Sequence, residues 1–314
     1  MTAQPQSLPI VVGVDGSANG DRALDWAVRH AIRAQRPLRI VHVPEPSLLA
    51  RLFPARRRAG EQAARQLAQE LVDSRVARAR AADAALDVVG EVVSGPRDAC
   101  LEQESRRAEL MVVGSRGLSG TVESLVTGSA TTRLVLRASC PVVVVPEGAS
   151  RTSLSRVVAG TDASQQSRAA VDLAFTLSRT WQARLRVVLA WDPSAFAWLT
   201  EEDPSWPAEQ TPSPEQARTR ISGFLTALQD EYPDVALEWD VVPGAAIPVL
   251  VAESDQADLL VVGSHGRGHG IMEVLQELGS VSCGVLRYAR CPVAVVPQRW
   301  TSTSASSPAA AHSA

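Results

Sequence analysis

The 314-residue chain contains no lysine, so all 31 of the residues counted as Lys or Arg are arginine. That absence removes whole chemistries. A P-loop needs a lysine on the β- and γ-phosphates, a protein kinase needs one on its third strand, and Schiff-base catalysis needs one as nucleophile. None of these is open to this chain. A composition rich in Ala, Arg, Val and Gly fits GC-rich codon usage as the cause, and the exclusion holds whatever the cause.

Cysteine is scarce as well. Cys100, Cys140, Cys283 and Cys291 stand among apolar neighbours, with no CxxC pair and no spacing that gathers thiolates around zinc, so they are expected reduced and mostly buried. No apolar run reaches the roughly 18 residues of a membrane span. The amino terminus is polar and carries proline, without the cationic and then apolar pattern of a secretory signal. The expectation is a cytoplasmic protein with no membrane partner. Net charge is only -3, and the chain up to Glu147 carries 19 Arg against 16 acids where the remainder carries 12 against 18. Opposite signs in the halves favour docking of one on the other, but they make no concentrated basic face, so nucleic acid is not an expected partner. Arg56-Arg57-Arg58, the tight basic run, reads as a solvated helix start. The histidines (His30, His42, His265, His269, His312) form no recognisable ligand spacing, and His42 reads as a satisfied core residue.

What the chain does have is itself, twice. Ile10 to Ser17, with Asp15, is matched by Arg156 to Ser164, with Asp162, and Leu38 to Val43 by Leu185 to Ala190, both at an offset of 147. Gly95 pairs with Gly244, and Val112-Val113-Gly114-Ser115-Arg116-Gly117 with Val261-Val262-Gly263-Ser264-His265-Gly266, at 149. Gly128-Ser129 pairs with Gly279-Ser280, and Cys140-Pro141-Val142 with Cys291-Pro292-Val293, at 151. Six blocks in one order mark a tandem duplication. The boundary falls in the polar stretch Glu147 to Ser155. Domains are therefore expected over 1–147 and 154–298, with a disordered Ser- and Ala-rich tail over 299–314.

Periodicity predicts strands at Ile10 to Val14, Leu38 to Val43, Leu86 to Val93, Leu110 to Val113 and Val142 to Val145. Helices are predicted at Asp21 to Ala34, Glu61 to Ala81, Asp98 to Arg107 and Ser129 to Arg137. Val142-Val143-Val144-Val145 is apolar on both faces, as a parallel strand covered by helices on both sides must be. The fold class is α/β: two tandem doubly wound, Rossmann-like domains, each a five-stranded mainly parallel sheet with helices on both faces. In such sheets a ligand sits beyond the carboxyl ends of the strands, where strand order reverses. The second copy departs between Asp192 and Pro214, where five prolines and Trp191, Trp198 and Trp206 exclude a helix. That stretch is either a lid or contact surface, or a passive excursion.

Two elements of each copy converge on the carboxyl edge. Asp15 and Asp162 end the opening strands; each either accepts hydrogen bonds from a ligand or holds a cation, or else caps the following helix. The strand Met111 to Val113 runs into Gly114-Ser115-Arg116-Gly117, and Gly128-Ser129 opens the next helix. Glycines permit close approach of backbone amides to a ligand, and a helix N-terminus favours phosphate. Arg116 offers the charge that lysine supplies elsewhere. The second copy offers His265, Arg267 and His269 among Gly263, Gly266, Gly268 and Gly270.

These motifs, with the Cys-Pro-Val-x-Val-Val ending, resemble the universal stress protein family in its tandem form. The resemblance covers both halves outside the tails and the Pro/Trp stretch. It implies an adenine nucleotide alpha-hydrolase-like fold, ATP with Mg2+ as cofactors, and a nucleotide-dependent stress-response or growth-regulatory switch with little or no hydrolysis. The ATP site implied in the first copy comprises Gly13, Asp15, Val43, Gly114, Arg116, Gly117, Gly128, Ser129, Ala130 and Thr131. In the second it comprises Gly160, Asp162, Ala190, Gly263, Gly266, Arg267, Gly279, Ser280, Val281 and Ser282. The metal would come through the nucleotide, with Asp15 or Asp162 as side-chain contact. The family pattern places nine residues before its third glycine; here ten separate Gly117 from Gly128 and twelve separate Gly266 from Gly279, which ranks the first site above the second. Val142 to Val145 and Val293 to Val296 are expected to pair in an intramolecular pseudo-dimer, with a homodimer of whole chains left open. A tandem scaffold acting through protein contacts without nucleotide is the competing reading, and an adenylating ligase a third that lacks further substrate-binding elements.

Overall fold

The computed structural model describes residues 7–44, 57–115, 130–149, 153–192, 213–265 and 278–300. The first half runs β1 (Ile10–Gly13), α1 (Ala18–Ala34), β2 (Leu38–His42), α2 (Arg57–Ala82), β3 (Val88–Val92), α3 (Arg97–Ser105), β4 (Leu110–Gly114), α4 (Ala130–Arg137) and β5 (Val142–Val145). The second half repeats it as β6 (Arg156–Gly160), α5 (Arg168–Trp181), β7 (Arg184–Trp191), α6 (Pro214–Glu231), β8 (Leu237–Pro243), α7 (Ala246–Ser254), β9 (Leu259–Gly263), α8 (Ser280–Tyr288) and β10 (Val293–Val296). A short 3-10 turn, Gln165–Ser167, leads into α5.

The strands form one sheet in the order β3-β2-β1-β4-β5-β10-β9-β6-β7-β8. Neighbours are parallel except at the centre, where β5 and β10 run antiparallel with Val142 opposite Val295, Val143 opposite Ala294 and Val144 opposite Val293. The expected pairing of the two final strands thus makes the two five-stranded sheets continuous. It also covers an edge of each half that would otherwise be open to another chain.

Each sheet face carries one apolar core that crosses from half to half. Ile10, Val12, Val157 and Ala159 face α1, α2, α5 and α6, while Val11, Val113, Val158 and Val262 face α3, α4, α7 and α8. Alternate residues of one strand point to opposite faces, so a strand buried on both sides must be apolar at every position. Val142 to Val145 are all buried. Bidentate ion pairs fix α3 and α7 to the sheet at matching places: Arg39 Nε to Glu104 Oε2 at 2.8 Å, and Arg186 Nη2 to Glu253 Oε1 at 2.9 Å.

Several boundaries shift from those expected. α1 starts three residues before Asp21 because Ser17, in extended conformation, caps it by accepting from Gly20 N at 3.0 Å. The second helix runs Arg57–Ala82 rather than Glu61–Ala81, so the basic run does lead into a helix. Pro214, counted above with the proline stretch, is the first residue of α6. Its fixed φ suits that position, and Ser213 and Gln216 cap the helix reciprocally. The rest of that stretch, and the tail from Thr301, lie outside the described residues.

Candidate functional site

In the first half, strand order reverses between β1 and β4, the two strands on which the expected site residues stand. Beyond their carboxyl ends lies a cleft with about 370 Å³ of empty space, solvent at its mouth included. Val41, Val43, Leu101 and Val113 give it apolar walls, and among the described residues Asp15 and Arg97 are its charged ones. Gly13, Gly20 and Gly114 bring bare backbone to its surface. Four expected residues, Gly13, Asp15, Val43 and Gly114, are therefore brought together from three different strand ends.

Asp15 sits where the chain leaves β1. Its Oδ1 accepts from Ser17 N at 3.0 Å and from Ser17 Oγ at 2.7 Å, a local turn that fixes the carboxylate while Ser17 itself caps α1. Among the described residues, the second carboxylate oxygen takes no hydrogen bond. Gly16 makes the turn with φ +84°, and Ala163 makes the same turn in the second half with φ 52°. Left-handed backbone is costly for a residue with a Cβ, so the second copy keeps this turn at some strain.

Two glycines have specific steric reasons. A Cβ on Gly20 would lie 2.6 Å from Asp15 Oδ1. A Cβ on Gly114 would lie 2.9 Å from Asn19 Nδ2 and 3.0 Å from the Asn19 backbone. Gly114 is thus required by the approach of α1 to β4, sealed by Asn19 Nδ2 donating to Ser115 Oγ at 3.2 Å. Arg116, Gly117, Gly128 and Ser129 lie outside the described residues. Ala130 opens α4, and the Thr131 side chain is buried.

At the matching place in the second half a side chain comes closer to the strand end. Leu250 on α7 fills the space over Gly160, its Cδ1 2.8 Å from where a Cβ would be, whereas Leu101 stands 3.6 Å from the matching point on Gly13. Thr161 and Ser167 replace Val14 and Gly20, and their hydroxyls bond to each other at 2.8 Å. Asp162 Oδ1 accepts from Ser164 N at 3.0 Å. Ala190 lies in β7 opposite Val242. Gly279, Ser280, Val281 and Ser282 begin α8 close to the end of β9. Gly279 N donates to Ser264 O at 3.0 Å, and the buried Ser282 hydroxyl donates to Gly263 O at 2.6 Å. Ser282 therefore ties helix to strand. Gly266, Arg267, Gly268, His269 and Gly270 lie outside the described residues.

Among the described residues no three of His, Cys, Asp or Glu gather as a metal site. His42 Nδ1 lies 2.7 Å from Val14 O, which satisfies it against the backbone. Sequence reading missed Arg97, Gly20, Val41 and Leu101. A signal for Arg97 existed in the repeat: it follows Gly95 as Ala246 follows Gly244, and both glycines have positive φ, +148° and +127°.

Comparison with known proteins agrees with the duplication. The model of the universal stress protein family matches twice, over residues 8–146 and 154–297. Universal stress protein Rv1996 of Mycobacterium tuberculosis is 34% identical over 319 residues, covering 95% of this chain and 98% of its own length. A universal stress protein of Mycolicibacterium smegmatis is 33% identical over 306 residues, covering 92% of this chain and 97% of its own. The crystal structure of a universal stress protein from Archaeoglobus fulgidus superposes with a TM-score of 0.66 over 93% of this chain and 97% of that one, and at 16% identity it speaks to the fold. With both halves matched and relatives aligned almost end to end, the chain belongs to the universal stress protein family and carries two of its domains in tandem.

Proposed function

We propose that the first domain binds an adenine nucleotide with Mg2+ in the cleft between β1 and β4, and that occupancy switches a cytoplasmic stress-response or growth-regulatory protein. The observation that carries this reading is the cleft itself: apolar walls for a base, a fixed carboxylate with one oxygen that takes no hydrogen bond among the described residues, and an arginine, all at the switch point. Asp15 would accept from ribose hydroxyls. Arg116, Gly117, Gly128, Ser129, Ala130 and Thr131 would attend the phosphates, as the family resemblance implies. The residues present fit such a ligand in the first domain and fit it poorly in the second, where Leu250 and the Thr161–Ser167 pair occupy the matching space. Mg2+ would be held mainly by the phosphates, because among the described residues the cleft wall offers Asp15 as its one carboxylate.

Cleavage needs a base aimed at a water, and among the described residues no histidine lines this wall. The arrangement suits holding a nucleotide better than hydrolysing it. The second domain then serves as the structural partner through β5 and β10. A homodimer of whole chains would have to use other surfaces, and light scattering at micromolar concentration decides it.

The test is extraction of small molecules from purified protein, followed by calorimetric titration with ATP and Mg2+. Asp15→Ala should weaken binding and Asp162→Ala should leave it intact. If nothing binds below about millimolar, only some 4 kcal/mol of affinity, the reading falls and a scaffold acting through protein contacts replaces it.

A further inference from the structure

We infer that Asn19 is a positioning residue of the first cleft: its side-chain amide, oriented by Arg22, holds Gly114 and Ser115 at the end of β4, where the phosphate end of a nucleotide begins. This rests on the reading of that cleft as an adenine nucleotide site. Asn19 is the second residue of α1 and is buried. Asparagine is a poor helix former, and a buried side-chain amide must find partners. It finds two. Arg22 Nη2 donates to Asn19 Oδ1 at 3.3 Å, and Asn19 Nδ2 donates to Ser115 Oγ at 3.2 Å. A guanidinium can only donate, so it claims the amide oxygen and turns the amide nitrogen toward Ser115.

The contact reaches the cleft wall itself. Gly114 lines the cleft, and the Asn19 backbone comes within 3.0 Å of where a Cβ on Gly114 would be. α1 also starts at the Ser17 cap, whose hydroxyl fixes Asp15 beyond the end of β1. Asn19 therefore ties the end of β4 to the helix start that sets the end of β1, and the two strand ends at the switch point keep one spacing. Groups already held in place cost little to order when a ligand arrives. On the nucleotide reading Asp15 takes the ribose and the chain beyond Ser115 takes the phosphates, so the loss of Asn19 falls on the phosphate end.

The duplication supplies an internal control. Ser115 N donates to Val145 O at 2.9 Å and Ser264 N donates to Val296 O at 2.9 Å, so both domains place this serine alike on the backbone. The side chains differ. Gln166 and Ala169 stand at the positions of Asn19 and Arg22, and Ser264 Oγ lies 3.1 Å from His265 Nδ1.

The experiment titrates ATP and adenosine into the full-length protein, its Asn19→Ala and Ser115→Ala variants and the double variant, with thermal melts to confirm folding. Expected is a loss of about fivefold or more for ATP in each single variant, less than about twofold further loss in the double variant, and adenosine changed by less than about twofold throughout. Losses for ATP that multiply in the double variant would mean that the two residues act separately and would overturn the inference, as would an unchanged ATP affinity or an equal weakening of adenosine. Ser115→Ala alters a half-buried residue outside any helix, and its ATP and adenosine affinities decide the matter if Asn19→Ala does not fold. Wild-type protein that binds neither ligand would end the nucleotide reading, whereas wild-type binding with unaffected variants would end this inference alone.

Discussion

Trp181 of the second domain donates its indole N–H to Nδ1 of His30 in the first, at 3.0 Å. Both side chains are buried, and the ring of Trp26 lies 5.3 Å from His30 and 5.9 Å from Trp181 between centroids. An indole nitrogen can only donate, so His30 accepts through Nδ1 and is neutral. From the same helix, Arg33 Nη1 donates to the Trp181 carbonyl at 2.7 Å. α1, whose first turn forms part of the cleft of the first domain, is thus held by its last turns to the other domain.

This contact predicts a pH dependence of stability. Burial pushes the His30 imidazole down from 6.5 to about 4, with a smaller push from the charge of Arg36. Between those values the unfolded chain binds the proton and the folded chain does not, so stability is full above pH 6.5 and is lost as pH falls toward 4. The shift corresponds to about 3 kcal/mol at pH 4 relative to pH 8. Urea unfolding from pH 8 to pH 4.5 should show a decline that is shallower in His30→Gln. Parallel pH profiles for the two proteins would contradict the neutral, buried state of His30.

Trp181→Phe keeps most of the buried area and removes the donor. His30 then retains a buried acceptor with nothing to accept from, which should cost about 1–3 kcal/mol. In a His30→Phe background the same substitution should cost less, because the orphaned acceptor is already gone. Additive costs across this double-mutant cycle would mean that the hydrogen bond contributes nothing of its own.

Much of this architecture can be read from patterns that repeat. Val142 to Val145 declares a doubly buried strand, and its twin Val293 to Val296 is what pairs with it. Contacts without pattern stay hidden. His30 and Trp181 stand 151 residues apart, and nothing in either neighbourhood announces the other. The start of α1 was obscured because Asn19 and Gly20 are poor helix formers, and only the Ser17 cap explains why the helix includes them. Gly114 was legible as a glycine that something must approach, but the sequence could not tell a phosphate from Asn19. Arg97 becomes part of the site only when the turn at Gly95 returns the chain from β3 to a place over β1.

The cysteines give a prediction about reactivity. Burial pushes the Cys140 thiol up to about 12, and burial, helped by Glu104, also raises that of Cys100. The thiolate is the nucleophile, so at pH 8 native Cys140 should resist iodoacetamide for hours and react within minutes in urea. Cys283, half-buried on α8, should be labelled before it. Mass spectrometry of partly alkylated native protein gives the order. Labelling of Cys140 at its denatured rate would show that the core opens far more readily than its packing implies.

The sharpest test of the cleft is Gly20→Ala. The new Cβ would lie 2.6 Å from Asp15 Oδ1, so the carboxylate must turn away from the position that Ser17 now fixes. The fold itself should tolerate the change. Ser167 stands at the matching place in the second domain, and alanine is favoured over glycine inside a helix by about 1 kcal/mol. Expected is a melting temperature within a few degrees of wild type, with ATP and adenosine both weakened by about tenfold, because the ribose contact is lost rather than the phosphate contact. The complementary change, Ser167→Gly, removes the hydroxyl that Thr161 holds but leaves Leu250 over Gly160, and should not create a second site. Calorimetry on both variants separates a cleft defined by Asp15 and Gly20 from one defined elsewhere: Gly20→Ala protein that binds ATP like wild type would place the nucleotide away from β1.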